Sequence, residues 1–595
     1  MSVPRFVVGI DLGTTNSVLA WVDTQGPDLD PEAPAIAVLP IPQLVKAGVV
    51  EPRDALPSFL YLPAEGEMDA KALALPWGAP EHVVGTLARA RGAEVPGRVV
   101  ASAKSWLCAT GADPSRPILP WNAPADVPRL SPVAAEAAYL AHLRAAWDAA
   151  MPAPLAAQEV YLAVPASFDA VARELTVRAA EAAGLGGARL IEEPQAAFYA
   201  WIAASGGAWR REVRVGDVIL VCDVGGGTTD LSLVSVGEEA GALVLERRAV
   251  GDHILLGGDN MDLALAHAVR ARLAETGTAL DEWQLRGLVH ACRQAKERLL
   301  GADGPEQETV LVLGRSRKVV GGALRTEVTR AEVERTLVDG FFPLVAADER
   351  PRSPRRAGLQ EIGLPYAADP AITRHVAGFL ARHREVAPEG PSAVLFNGGV
   401  TEAARLRARL TEALDAWRGA AGAVRVLAGA DPARAVAVGA AAYGLARRGR
   451  GVRIRGGTAR AYYVGVEAAA PAVPGVPAPV KALCLAPFGM EEGGEVELAG
   501  TELGLVVGEP AEFRFFGSSV RRDDLPGTVV EGWGAGEIEE LRPLETTLAA
   551  EGEEGRTVRV RLSARVTELG TLELWCVARD GGRRWRLEFN VRQAA

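Results

Sequence analysis

Two short acidic turns hold most of the chemistry this sequence can do: Asp11-Leu-Gly-Thr-Thr-Asn16 and Asp223-Val-Gly-Gly-Gly-Thr-Thr-Asp230. Glycine lets backbone N–H groups converge on an anion, and threonine adds a hydroxyl donor short enough not to block the approach. Gly13, Thr14, Thr15 and Asn16 in the first turn, and Gly225, Gly226, Gly227 and Thr228 in the second, are therefore expected to wrap phosphate. Asp11, Asp223 and Asp230 would repel a bare polyphosphate, so they imply Mg²⁺, reached through water because that ion dehydrates reluctantly. One such turn alone is equally an ordinary hairpin with a satisfied carboxylate. Two copies more than two hundred residues apart read as the halves of one clamp.

Each turn needs a rigid mount, and the flanking residues supply it. Apolar runs Phe6 to Ile10 and Ser17 to Val22 enclose the first turn, and Val218 to Cys222 and Leu231 to Val236 enclose the second. Both therefore sit at the tips of β-hairpins. Glu159 to Ala166 is a buried strand stopped by Pro165. Ser167 to Ala183 follows as a helix, with Ser167 or Asp169 as N-cap and Gly184 as its stop. Helices are also expected from Val133 to Ala150 and over the region Asp259 to Leu300, and a strand-turn-helix over Ala393 to Leu410. The stretch from Gly26 to Pro63 is rich in proline and reads as surface. Glu349-Arg-Pro-Arg-Ser-Pro-Arg-Arg356 reads as an exposed insertion. The organisation expected is an α/β domain over 1–447, with lobes of about 1–205 and 213–447, a Gly/Arg linker over 448–459, and an all-β domain over 460–595.

Composition narrows the classes. A chain of 595 residues with 49% hydrophobic content can bury more than one core. Its net charge of −11 argues against nucleic acid as a main partner, since no basic domain is present to neutralise a phosphate backbone. Five scattered cysteines without a Cys-x-x-Cys pair fit reduced buried thiols, hence a cytoplasmic protein. Neither a leader nor an apolar run of membrane-spanning length is seen, so no membrane partner is expected.

Val8-Gly-Ile-Asp-Leu-Gly-Thr-Thr-Asn-Ser17, Ala163-Val-Pro-Ala166, Ile191-Glu-Glu-Pro-Gln-Ala-Ala197, Asp223 to Asp230, Leu256-Gly-Gly-Asp-Asn-Met-Asp262 and Phe396-Asn-Gly-Gly399 follow one another in a familiar order. Together they resemble the ATPase domain of the seventy-kilodalton heat-shock (DnaK-type) chaperones, over residues 1 to about 447. The β domain resembles the family's substrate-binding domain more weakly, through Leu483 to Gly517 and Val558 to Asp580. The resemblance implies a two-lobed actin-like fold of duplicated ribonuclease-H type, ATP/ADP and Mg²⁺ as cofactors, and slow hydrolysis that controls transient binding of unfolded or dedicated client polypeptides. J-domain co-chaperones and a nucleotide exchange factor are the implied partners. By the same resemblance Thr14 and Thr15 contact the phosphates, Asp11 and Asp223 organise Mg²⁺, Asp230 completes the carboxylates, and Glu193 positions the attacking water. Gly257 and Gly258 belong to the matched Leu256 to Asp262 segment, and Gly398 and Gly399 let adenine approach the backbone. Pro165 and Arg173 match the family's switch proline and relay arginine.

Several residues leave two readings open. Glu192 and Glu193 also suit a plain cap on the Pro194 helix. Arg293 and Lys296, three apart on a helix, suit either ribose or adenine contact or a solvated face with local ion pairs. Where the family has a lysine that assists phosphate cleavage, this chain has Arg89, whose planar fork cannot copy a compact ammonium. Hydrolysis is then slowed, or Lys104 lies closer to the site. The family's leucine-rich linker is replaced by Gly451-Val-Arg-Ile-Arg-Gly-Gly457, and only four residues follow Val591, so no helical lid is expected. The aromatic residues Phe513, Phe515, Phe516, Trp575 and Trp585 are expected in the β-domain core. The alternatives to an ATP-driven chaperone are a nucleotide-gated scaffold, an uncoupled ATPase, a sugar-kinase-like enzyme and an actin-like filament protein.

Overall fold

In the computed structural model the chain divides into two compact units, residues 1–453 and 454–595. The described residues are 4–26, 34–109, 111–239, 242–252, 254–312, 324–352, 364, 366–450, 458, 460–468, 479–488, 490, 494–518, 520–521, 523–534, 537–549, 556–567, 571–579 and 582–590. The Gly451–Gly457 stretch, most of the arginine-proline insertion and the residues after Asn590 lie outside them.

In the first unit, β1 (Phe6–Leu12) and β2 (Asn16–Asp23) form an antiparallel hairpin. Leu12 pairs with Ser17, which leaves Gly13 to Thr15 as its tip. β3 (Ala37–Val38) extends the sheet beyond β2. Helices α1 (Thr86–Glu94), α2 (Ala103–Trp106) and α3 (Pro132–Ala150) come next. β4 (Glu159–Val164) runs parallel to β1, and after α4 (Ala170–Ala182), β5 (Arg189–Glu192) runs parallel to β4. α5 (Glu193–Ser205) follows directly. The sheet order is β5-β4-β1-β2-β3.

A second sheet uses the same plan. β6 (Val218–Val224) and β7 (Thr229–Glu239) form the hairpin, with Val224 paired to Thr229 so that Gly225 to Thr228 make its tip. β8 (Ala242–Val250) pairs outside β7. α6 (Gly258–Glu275) and α7 (Glu282–Leu299) precede β9 (Ala393–Asn397), α8 (Ala404–Arg418), β10 (Arg425–Leu427) and α9 (Ala435–Arg447). The order is β8-β7-β6-β9-β10, with β9 parallel to β6. In both sheets the strand that carries the first aspartate is flanked by its hairpin mate and by a parallel strand. Being covered on both faces, β1 and β6 are almost continuous apolar runs.

Two local readings are corrected. The proline-rich stretch is not simply surface: Ile41, Leu44, Leu56, Phe59, Leu60 and Tyr61 are all buried. Pro42 and Pro52 face each other across a two-stranded ribbon, which accepts proline where a wide sheet would not. The region Asp259 to Leu300 is two helices, parted by Gly277 at φ 85° and restarted by Asp281, whose carboxylate accepts from Gln284 N at 2.8 Å. α9, last in the unit, packs on the first sheet: a Cβ on Gly9 would lie 2.1 Å from Ala437 O, so only glycine permits the approach.

The second unit has β11 (Ala461–Glu467), β12 (Val480–Ala486), β13 (Glu495–Val507), β14 (Pro510–Ser518), β15 (Val529–Val530), β16 (Glu539–Thr547), β17 (Arg556–Val566), β18 (Thr571–Ala578) and β19 (Arg584–Asn590). They make two antiparallel sheets, β15-β12-β11-β14-β16 and β13-β17-β18-β19. A shared core joins them, with Phe515 stacked between Tyr462 at 5.5 Å and Phe589 at 4.4 Å. Phe515, Phe516 and Trp585 are buried as expected, and Phe513 packs at the core's edge. Trp575 is the exception, half-buried on the outer face. Among the described residues no helix is long and apolar enough to cross a membrane, and the five cysteines are unpaired.

Candidate phosphate-binding cleft

The two hairpin tips meet. A Cβ on Gly226 would fall 1.7 Å from Thr15 Oγ1, and one on Gly227 would fall 2.8 Å from Thr14 Cγ2. Only glycine allows the second tip to lie this close to the first. The cleft they form has a volume of about 510 Å³, within the usual range for small-molecule sites. Asp11, Gly13, Thr14, Thr15, Asn16, Glu193, Asp223, Gly225, Gly226 and Thr228 line one part of it. Gly258, Arg293, Lys296, Gly398 and Gly399 line the rest. Three of the anticipated residues stand behind the lining. Gly227 packs beneath the tips, Gly257 lies against the Gly225 and Gly226 carbonyls, and Asp230 accepts a hydrogen bond from the Ser167 hydroxyl at 2.5 Å.

Ser167 is thereby taken from helix capping, and Asp169 caps α4 instead, accepting from Ala172 N at 2.8 Å. Neither glutamate at the start of α5 caps it through a side chain. The Glu192 carboxylate is fully buried between Arg173 at 3.3 Å and Arg247 at 2.9 Å. Glu193 turns into the cleft, where the Lys104 ammonium donates to it. Lys104, delivered by α2, is the cation beside Glu193, whereas Arg89 on α1 faces Glu297 and Arg293 across the cleft.

Electrostatics in the cleft are dominated by burial of negative charge. Burial, reinforced by Glu193, pushes the Asp11 carboxyl up to about 7, with Lys104 pulling it back. Glu193 and Asp223 are also raised, chiefly by burial. Burial lowers the Lys104 ammonium, but Glu193 and Asp11 outweigh it, so it stays firmly protonated. Asp223 accepts from Asn397 Nδ2 at 2.5 Å, a contact that favours its charged form. Among the described residues no three His, Cys, Asp or Glu side chains already converge to chelate a metal. The carboxylates of Asp11, Glu193 and Asp223, all lining the cleft and with Lys104 paired to Glu193, nonetheless form a hard, oxygen-only and electron-rich donor set that suits a divalent cation bound through water.

At the other end, Arg293 and Lys296 are neither free nor solvated. Arg293 Nε bonds Asp262 at 2.6 Å and its terminal nitrogen bonds Asp259, while Lys296 Nζ reaches Asp262 at 2.6 Å. The Ser102 hydroxyl joins this cluster through Asp259 at 2.5 Å, and the Arg293 guanidinium lies 5.5 Å from the Phe59 ring centroid. Gly398, at φ 85°, brings the β9 turn so close that a Cβ would sit 2.4 Å from Val224 O. Asn397 was not singled out from the sequence, although its place just before Gly398-Gly399 at a strand end was the available signal.

Behind Lys104 lies a further buried group. Glu136 on α3 is 1% exposed, and neither carboxylate oxygen has a hydrogen-bond partner; the Tyr139 hydroxyl, one turn on, is likewise unbonded. Burial pushes the Glu136 carboxyl up to about 8, with Lys104 pulling the other way.

Comparison with known proteins agrees with this geometry. Residues 81–345 match the family model described as Hsp70 protein. The chain is 29% identical over 341 residues to the chaperone protein HscA homolog of Ralstonia nicotianae, covering 56% of this chain and 48% of that protein. It is 31% identical over 344 residues to chaperone protein HscA of Enterobacter sp., with the same coverage, and 31% over 309 residues to that of Salmonella paratyphi C, covering 50% and 43%. The chain spans about half the length of the curated relatives it matches. Over residues 81–345 the chain is thus similar to Hsp70-family proteins, and about half of it is similar to HscA chaperones.

Proposed function

We propose that the chain is an ATP-dependent chaperone that binds and slowly hydrolyses ATP to control transient contact with unfolded or dedicated client polypeptides. The observation that carries this is the meeting of two Gly-Thr hairpin tips over buried carboxylates, with Glu193 and Lys104 paired at their junction. The backbone N–H groups of Gly13 to Thr15 and Gly226 to Thr228, with the threonine hydroxyls, would hold the β- and γ-phosphates, while the Gly225 N–H closes the tip onto the Thr228 carbonyl at 2.9 Å. Asp11 and Asp223 would hold a Mg²⁺ ion, which would supply charge neutralisation and in-line alignment when bound. Glu193 orients the attacking water and accepts its proton. Lys104 stands beside it as the cation that compensates charge on the transferred phosphoryl group, a role for which the family resemblance aligns Arg89. Gly398 and Gly399 with Arg293 and Lys296 border the nucleoside, and the ion pairs of Arg293 make it a fixed wall.

Client binding by unit 454–595, a J-domain co-chaperone and a nucleotide exchange factor belong to the same proposal. The test is single-turnover ATP hydrolysis with Mg²⁺, with and without an extended apolar peptide. Slow cleavage accelerated by peptide supports the chaperone; cleavage indifferent to peptide makes the chain an uncoupled ATPase. Binding without cleavage makes it a nucleotide-gated scaffold.

A further inference from the structure

In the second unit, β17, β18 and β19 turn one face inward and one outward. Val560, Leu562, Leu572, Leu574, Leu587 and Phe589 fill the core. The strand registers put arginine in neighbouring positions on the opposite face: Arg561 pairs with Val577, which pairs with Arg584, and Ser563 pairs with Trp575, which pairs with Arg586. Arg579 N donates to Arg559 O at 3.2 Å, placing those two side by side at the end of the same field. Five arginines, all exposed, thus surround Trp575 and Val577. The Arg584 and Arg586 guanidiniums lie 5.8 and 5.9 Å from the Trp575 ring centroid, which holds them over an aromatic surface.

A merely solvated sheet face is stabilised by opposite charges across strands. Here the nearest carboxylates serve only part of the field: Glu573 takes Arg586 at 3.3 Å and Glu502 takes Arg579 at 3.7 Å. Among the described residues Arg559, Arg561 and Arg584 form no ion pair within 4 Å, although the register sets Glu502, already engaged by Arg579, opposite Arg561. The contrast with a chain of net charge −11 is marked.

We propose that this face docks an acidic polypeptide segment in extended conformation. Arg559 and Arg561, and Arg584 and Arg586, are each two residues apart on a strand, a spacing of roughly 6.6 Å. Carboxylates at alternate positions of an extended peptide repeat at the same distance, and the guanidinium fork matches each one bidentately. Trp575 and Val577 supply an apolar floor for the peptide's methylene groups. A nucleic-acid strand fits less well. A single indole offers no run of stacking surfaces for successive bases, whereas it suffices as a floor for one extended peptide.

The test uses the full chain and fluorescence anisotropy with three labelled probes: an eight-residue alternating Glu-Ala peptide, its Gln-Ala counterpart, and a twelve-residue oligothymidylate. Saturable binding of the Glu-Ala peptide alone is expected, weakening several-fold between about 50 and about 200 mM salt. The combined variant R559Q/R561Q/R584Q should raise its Kd about tenfold or more, and Trp575→Leu by a smaller factor. Arg514→Gln, on the other sheet and paired with Glu540 at 2.6 Å, should leave it unchanged. Because all the changed arginines are exposed, thermal melting should be unaltered. Equal affinity in wild type and the combined variant overturns the proposal, as does no binding at about 50 mM salt. Preferential binding of the oligothymidylate, lost in the same variant, replaces it with a nucleic-acid surface.

Discussion

Replacing Glu136 with glutamine should make the protein less sensitive to rising pH, by an amount the structure sets. The carboxyl is buried, unbonded, and pushed from 4.5 in the unfolded chain to about 8 by loss of solvent. A carboxyl whose folded value is raised keeps its proton on folding. It therefore costs nothing below the unfolded value and destabilises increasingly as pH climbs from 4.5 toward 8. At pH 7 the unfolded state has released nearly all of this proton and the folded state little of it. Integrating the difference over about 2.5 pH units gives a penalty of about 3 kcal/mol. Glutamine removes the titration while leaving polar atoms in the same place. The stability gap between variant and wild type should thus widen, in the variant's favour, by about 3 kcal/mol between about pH 5 and about pH 7.5. Urea unfolding at a series of pH values reads this directly, with Trp147 buried on the same helix as a reporter. Measuring the change with pH, rather than one offset, cancels any packing difference between the side chains. Parallel stability curves would show that Glu136 is ionised in the folded state, held by Lys104, and would refute the account of a neutral buried acid.

Lys104→Met should lower single-turnover hydrolysis about 10²- to 10³-fold, while Arg89→Met should change nucleotide affinity more than the cleavage rate; the reverse ranking would return the catalytic charge to Arg89. Gly226→Ala forces a Cβ to 1.7 Å from Thr15 Oγ1, so calorimetric ATP binding should be lost while the circular dichroism spectrum is kept. Arg247→Gln removes one of the two arginines on fully buried Glu192 and should cost about 2 kcal/mol, seen as a lower thermal midpoint; an unchanged midpoint would mean that Arg173 alone suffices.

The clamp was legible because its signals are local. An aspartate, a glycine and two threonines between apolar runs define a hairpin tip, and the strands β1, β2, β6 and β7 fall where those runs do. The same holds for Asp169 at the head of α4 and for the helix α3, which begins at Pro132 behind the Ser131 cap. What escaped depends on contacts between distant segments. Arg89 and Lys104 are fifteen positions apart, and only the path through α1 and α2 shows which of them reaches Glu193. The burial of Phe59 and Tyr61 was masked by the surrounding prolines, because a ribbon of two strands tolerates them and still covers a core. Nothing local marks α9 as a partner of the first sheet, since its glycines and alanines acquire meaning only against Gly9 and α5. Glu192 likewise looks like a helix-start carboxylate until Arg247 arrives from β8.

The way α9 ends has a mechanical consequence. Arg448, immediately after it, is bolted to the first sheet by Glu159 at 2.7 Å, by the Thr24 hydroxyl at 3.0 Å and by the Pro4 carbonyl at 3.1 Å. Tension applied to the chain beyond this point would load the bases of β1 and β4 together rather than peel α9 away. Those two strands run parallel, one to Asp11 and the other to Pro165, so the anchor and the cleft lie at opposite ends of the same two rods. A load at Arg448 and a ligand at Asp11 therefore act on a common stiff element, with no hinge required between them.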